Sequence, residues 1–117
     1  VEAEMLSQSA DGRYQVLVTP WEAANTHWVY RPRIIDTRQG SCLLAFEDAR
    51  WSAEHSTWHG DSTVELTLRK YPGNQAVRSI QVLIDCAGRQ AQVGSRSHIE
   101  PAALEGILDY LLHDPAC

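Results

Sequence analysis

Short segments in which apolar and polar residues alternate run through most of this chain, and helical spacing occurs only near its end. Thr63 to Arg69 alternates most clearly, with apolar Val64, Leu66 and Leu68 between polar neighbours. Successive side chains of a β-strand point to opposite faces, so this period of two predicts a strand with one buried face. Less regular patterns predict further strands over 13–19, 27–35, 41–46, 79–86 and 90–93.

The last segment has a helical period. Apolar residues recur at steps of three and four from Leu104 to Leu111, which is the spacing of one helix face. Pro101 suits the first helical position, so we predict a C-terminal helix over 101–113. An apolar helix stripe must cover another element. We therefore predict an α+β fold in two layers, an antiparallel β-meander of about six strands packed by this amphipathic helix.

The length of 117 residues, 44% of them hydrophobic, predicts a single domain over 1–117. The polar residues 1–12 predict a partly flexible N-terminal segment. Residues 47–60 show no clear period and predict a long polar connection. Residues 36–40 predict a hairpin turn in which Gly40 adopts a positive φ.

Two prolines disturb the strand pattern. Pro20 begins a stretch, up to Thr26, in which the alternation stops. Pro32 lacks an N–H group for a sheet ladder, so it predicts that residues 27–35 lie at a sheet edge or contain a bulge.

Charge and motif content exclude several classes of ligand. A formal net charge of −5 disfavours binding to the phosphate backbone of a nucleic acid. No run approaches the roughly 18 apolar residues of a transmembrane segment. No glycine-rich loop precedes the helix, so we expect no nucleotide or other cofactor. The oligomeric state is left open.

Three cysteines occur without a C-x-x-C spacing. Cys42 and Cys86 fit either buried, reduced side chains or a disulfide between them, and the terminal Cys117 is expected to be exposed. An odd thiol count suits the bacterial cytoplasm. A chain that begins at Val1 also suits a periplasmic protein after removal of its signal peptide, so the location stays open.

The four tryptophans form two pairs with equal spacing, in the segments WEAANTHW and WSAEHSTW. One interpretation of this match is coincidence or two similar connections between strands. The functional interpretation is a protein interface, because Trp combines a large apolar area with a hydrogen-bond donor. Acidic residues lie near the second pair. The candidate partner-binding residues are Trp51, Trp58, Asp48, Glu54, Asp61, Trp21 and Trp28.

His55 and His59 are four residues apart, which on a helix would suit one zinc ion, so they are a candidate metal site. The order H-E-x-x-H is absent, and Gly60 and Asp61 argue against a helix there. Together with Asp61, these histidines define the alternative of a small hydrolase-like enzyme with a His–carboxylate site.

No catalytic motif stands out, so we predict a non-catalytic protein-binding domain. The expected type is a small bacterial inhibitor or immunity protein that occludes another protein, such as a basic toxin or enzyme, because an acidic inhibitor gains from electrostatic steering toward a basic target. A further alternative is an accessory subunit of a larger assembly, with an apolar sheet edge or face.

Overall fold

Nine antiparallel strands and one C-terminal helix form the fold in the computed structural model, which describes residues 2–23, 27–71 and 79–113. In chain order the elements are β1 (Glu4–Gln8), β2 (Tyr14–Glu22), β3 (Trp28–Asp36), β4 (Ser41–Ala45), β5 (Trp51–His59), β6 (Thr63–Lys70), β7 (Ile80–Asp85), β8 (Gln90–Val93), β9 (Arg96–Ile99) and α1 (Pro101–His113).

The described strands form two meanders. The N-sheet has the order β1-β2-β3-β4, and the C-sheet has the order β5-β6-β7-β8-β9. Within each sheet, strands adjacent in sequence are adjacent in space, as short connections favour. The α+β class with antiparallel strands and a C-terminal helix is confirmed. The expected single sheet of about six strands is imprecise, because the strands divide between two sheets.

The second sheet begins with β5, in a stretch expected to be a polar connection. Its register against β6 shifts between Ala53 and His55, which makes Glu54 the extra residue of a β-bulge. The residues of β5 that pair with buried residues of β6 are Ala53, Ser56 and Trp58. Because the bulge changes the phase of the alternation, the sequence of β5 shows no period of two.

Three strands of the N-sheet also differ from the sequence prediction in their extent or position. β1 lies within the N-terminal residues expected to be partly flexible, and β2 continues through Pro20 to Glu22. β3 lies between β2 and β4 in the N-sheet and not at its edge. Pro32 is accommodated there because pairing with β4 begins at Arg33, and the register of this pair shifts between Ile34 and Ile35, so an irregularity lies near Pro32 although the strand is not at the edge.

The hairpin between β3 and β4 is present as expected. Gly40 has a φ of 65°. The buried Asp36 accepts hydrogen bonds from the backbone N–H groups of Arg38 and Gln39, at 3.0 and 3.3 Å. Arg13 donates to both of its carboxylate oxygens, at 3.2 and 3.0 Å, and this pairing holds the pKa of Asp36 below its usual value.

One hydrophobic core is shared by both sheets and the helix. Val16 and Ile34 enter it from the N-sheet and Leu66 from the C-sheet. Leu104 and Leu108 of α1 are also fully buried. Each such side chain contributes roughly 1.5–3 kcal/mol through burial.

The helix contacts β4 and β8, so it lies beside one strand from each sheet. It therefore does not cover a whole sheet face as the two-layer prediction expected, since the two sheets share the core with it. Within the described ranges, no helix has the length and apolar character required to cross a membrane.

The two described cysteines are both free thiols, so the Cys42–Cys86 disulfide is not formed. Cys42 is exposed, contrary to the expectation that both are buried. Cys86 is buried, and this burial raises the pKa of its thiol to about 12. Cys117 lies outside the described residues.

Candidate binding cleft

The four tryptophans occupy different environments. Trp21 and Trp28 lie on two paired strands, whereas Trp51 and Trp58 lie on the single strand β5, so their equal spacing does not reflect a repeated structure. Trp21 is half-buried, and its Nε1 donates to the carbonyl oxygen of Ala49 at 2.7 Å. Trp28 is 50% exposed. Of the four, Trp28 therefore offers the most open surface to a partner.

Trp51, one of the candidate contact residues, lies in the hydrophobic core. Its side chain is fully buried, and its ring centroid lies 5.7 Å from that of Phe46. The Lys70 ammonium nitrogen lies 5.6 Å from the centre of the Trp51 ring. A side chain enclosed in this way has no surface left for another protein.

Trp58 joins β5 to β1 inside the molecule. It is half-buried, and its Nε1 donates to Ser7 Oγ at 2.9 Å. Ser56 Oγ donates to the same oxygen at 2.7 Å. Because the indole N–H is already bonded, Trp58 acts here as a link between the two sheets.

Asp48 belongs to a partly exposed ion-pair cluster within the chain. Arg50 donates to both carboxylate oxygens, at 3.0 and 2.8 Å, and Lys70 Nζ lies 3.3 Å from Oδ2. The Arg50 guanidinium is the main cause that holds the pKa of Asp48 well below its usual range. Glu105 fixes the same loop, because its carboxylate accepts the backbone N–H groups of Glu47 and Asp48, both at 2.9 Å. The Glu105 carboxylate therefore stabilises the loop between β4 and β5, which connects the two sheets.

The structure does not bring His55, His59 and Asp61 together. The two histidines are exposed on β5, where positions four apart are separated by about 13 Å, too far to share one ion. His59 Nε2 instead lies 3.0 Å from Glu65 Oε1. Asp61 is exposed in the turn after β5. Across the described ranges, no group of three or more His, Cys, Asp or Glu residues is arranged to hold a metal ion.

Glu54, by contrast, lines an open cavity between the two sheets, which we call the β1–β5 cleft. Its volume is about 250 Å³. Val18 and Ala53 are buried residues of its wall, whereas Met5 and Tyr30 are 53% and 36% exposed. The lining residues are Glu4, Met5, Leu6, Val18, Tyr30, Ala53 and Glu54.

Two β-bulges form opposite sides of this cleft. On β1 the register shifts between Met5 and Ser7, so Leu6 is the extra residue, just as Glu54 is on β5. A bulge bends its strand and redirects the extra side chain. Both extra residues line the cleft. Ser7, the next residue after Leu6 in the chain, is hydrogen-bonded to β5. Local irregularity in two strands therefore creates the opening.

An aromatic surface with acidic neighbours continues from the cleft along β3. Trp28 lies two residues before Tyr30, so both side chains share one strand face at about 7 Å along the strand. Glu22 pairs with Trp28 across β2 and β3, while Glu4 and Glu54 flank the cleft. In the part of the chain that is described, none of these three carboxylates forms an ion pair.

A serine and a histidine meet in a separate cavity of about 280 Å³. Ser97 Oγ lies 3.0 Å from His98 Nδ1, and Asp85 lines the same cavity. His98 has a φ of 58°, an uncommon value for a residue other than glycine. Both side chains are exposed, and Asp85 Oδ1 accepts the N–H of Gly88. This arrangement is an exposed contact between neighbouring residues.

Sequence reasoning missed most of the cleft. Met5 and Leu6 are apolar residues within the polar N-terminal segment, and that contrast is the signal that could have marked them. Trp28 and Tyr30 flank Val29 in one strand, a second visible signal, because alternate positions share a face.

Comparison with protein-family models, with curated proteins and with solved structures gave no match for this chain.

Proposed function

We propose that this protein is a non-catalytic protein-binding domain of the inhibitor or immunity type, which holds its partner at the β1–β5 cleft. The observation that carries the proposal is the exposure of Met5 and Tyr30 in the lining of the cleft and of Trp28 two residues before Tyr30, near carboxylates that form no ion pair with the described residues. Exposed apolar residues grouped in this way mark interaction sites.

The size of the cleft favours a side chain of a partner over a cofactor. Its volume of about 250 Å³ lies below the range of about 300–1,000 Å³ that is usual for small-molecule sites. One apolar side chain of a partner would fill it against Tyr30 and Val18. Trp28 would then provide a second contact, because Trp and Tyr are enriched among the hot-spot residues of protein interfaces.

Charge indicates the kind of partner. Glu4, Glu22 and Glu54 surround the apolar surface, and the chain carries a formal net charge of −5. Lys or Arg residues around the apolar side chain of the partner would complement these carboxylates. Such pairs accelerate association at low salt and oppose binding of acidic competitors.

The test compares capture of proteins from the source organism by three forms of the full chain. The forms are the unaltered chain, the double variant Trp28→Ala with Tyr30→Ala, and Tyr110→Ala. Tyr110 is a matched control, because it is 54% exposed on α1 and does not line the cleft.

We expect a partner to be retained by the unaltered chain and by Tyr110→Ala. The double variant should retain at least roughly 30-fold less of the partner, because truncation of one hot-spot residue costs about 2 kcal/mol of binding free energy. Equal retention by the double variant, with all three forms folded, would overturn the proposal.

A further inference from the structure

A second cavity lies between the outer strand of the N-sheet and the helix, and we call it the β4–α1 groove. Its volume is about 550 Å³, and it shares no lining residue with the β1–β5 cleft. One wall is formed by residues 42–45, four consecutive positions of β4. The register of β4 against β3 shifts so that Leu43 is the extra residue of a β-bulge, and the cavity runs along the strand on both sides of this bulge.

β4 ends the order of the N-sheet and pairs with β3 alone among the described strands. A strand in this position presents unpaired backbone groups, which another chain can join by hydrogen bonding. Native proteins cover such edges with a helix, but here the groove separates α1 from part of β4. Among the described residues, this part of the edge is therefore open to a further strand.

Small residues on the helix make room for this strand. Pro101, Ala102 and Gly106 line the groove from α1. A Cβ atom added to Gly106 would have no heavy atom within 4 Å other than its chain neighbours and the backbone of its own helix, so the space beside the helix is empty at this point. Glycine inside a helix lowers its stability, and here it leaves the groove open.

The groove has an acidic end. The Glu105 carboxylate accepts the backbone N–H of Glu47, which lies just beyond the C-terminal end of β4. The carboxylates of Glu47 and Glu105 therefore lie at this end of the groove. Within the described part of the chain neither forms an ion pair, whereas Asp109 is bonded to Lys70 at 2.6 Å. Arg31 Nη1 lies 3.4 Å from the carbonyl oxygen of Glu47, not from its carboxylate. A cationic side chain would find Glu47 available.

We propose that the β4–α1 groove binds an extended segment of a partner protein as an added antiparallel strand of the N-sheet, with Lys or Arg residues at its N-terminal end beside Glu47. Backbone hydrogen bonds to β4 provide the affinity in this mode, and the charges select the segment. Antiparallel pairing is the slightly more stable arrangement, and it places the N-terminal end of the segment at the acidic end of the groove. The inference is independent of the function proposed for the cleft.

The test uses three capped hexapeptides as probes. The sequences are Lys-Lys-Thr-Val-Thr-Val, its reverse, and Glu-Glu-Thr-Val-Thr-Val. Binding is followed by amide chemical shifts of the full chain and by alkylation of the exposed Cys42, which lines the groove. Peptide mapping separates Cys42 from the other thiols.

We expect the first peptide to bind with a Kd below about 1 mM and to shift residues 42–45. It should slow alkylation of Cys42 at least about threefold at saturation. The reversed and acidic peptides should bind at least about tenfold more weakly. Equal binding of all three, or no shift at β4, would overturn the proposal, and so would pairing between two copies of this chain at the same edge.

Variants locate the effect. Gly106→Leu fills the empty space and improves helix propensity, so it should fold and bind at least about tenfold more weakly. Gly106→Ala is its control and should stay within about twofold. Glu47→Lys should weaken the first peptide, whereas Asp61→Lys, at an exposed acid outside the groove, should not. Equal binding of Gly106→Leu and Gly106→Ala would contradict the proposed position.

Discussion

Replacing Trp51 by Ala removes the bulkiest fully buried side chain of the described residues. Large-to-small substitution of a buried Trp costs about 3–5 kcal/mol. The ring contact with Phe46 adds about 0.5–1.5 kcal/mol, whereas removal of the buried Trp51 Nε1, which has no hydrogen-bond partner among the described residues, offsets a similar amount, so the expected loss stays within that range. A domain of 117 residues has about 6–18 kcal/mol of stability, so the variant loses a large fraction of it.

The assay is urea unfolding followed by far-ultraviolet circular dichroism, since the peptide backbone dominates this signal and each variant is compared with its own folded and unfolded baselines. Trp28→Ala is the matched control, because the same chemical change at a side chain that is 50% exposed should alter the free energy of unfolding by about 0.5 kcal/mol or less. A loss below about 1 kcal/mol for Trp51→Ala would refute the assignment of Trp51 to the core. So would a loss at Trp28 as large as that at Trp51.

Four further predictions concern the helix, the loop and the thiols. Glu105→Ala should lower the free energy of unfolding by about 1–3 kcal/mol in urea titrations, because two loop N–H groups lose their acceptor. Gly106→Ala should raise it by about 0.5–1 kcal/mol, since the added Cβ meets no atom, and a decrease would show that the space is occupied. Asp48 has a lowered pKa in the folded state, so its stabilisation is present above the unfolded pKa of about 3.9 and is lost as the pH falls toward its folded value. Urea titrations from pH 7 to below pH 4 should therefore show a smaller loss for Asp48→Asn than for the unaltered chain, and equal slopes would count against the ion pair. Iodoacetamide at pH 8 should alkylate Cys42 in the folded protein but not Cys86, whose burial raises its pKa to about 12, and reaction of both at one rate would contradict this.

Sequence patterns predicted the elements whose signals are local. The helix over Pro101–His113 follows from apolar spacing and a proline at its start. The β3–β4 hairpin follows from a turn segment that ends in Gly40, whose positive φ glycine accommodates. β6 follows from its strict alternation. Such features depend on neighbouring residues alone, so one sequence suffices to recognise them.

Features that depend on distant contacts were not predictable in this way. β5 was missed because its bulge at Glu54 breaks the period of two, and without β5 the second sheet could not be recognised. Trp28 and Trp51 have the same chemistry, and the packing of the whole domain decides that one is exposed and the other buried. The cleft combines residues of β1, β2, β3 and β5, whose proximity results from the arrangement of the two sheets.

The central claim is that a partner protein contacts the aromatic surface beside the β1–β5 cleft. Its most direct test places a photoreactive phenylalanine analogue at position 30 or, as a control, at position 110, and irradiates each chain in an extract of the source organism. We predict a cross-linked partner from position 30 alone, displaced by excess unaltered chain but not by excess Trp28→Ala. Cross-links to the same protein from both positions, or equal displacement by Trp28→Ala, would contradict the claim.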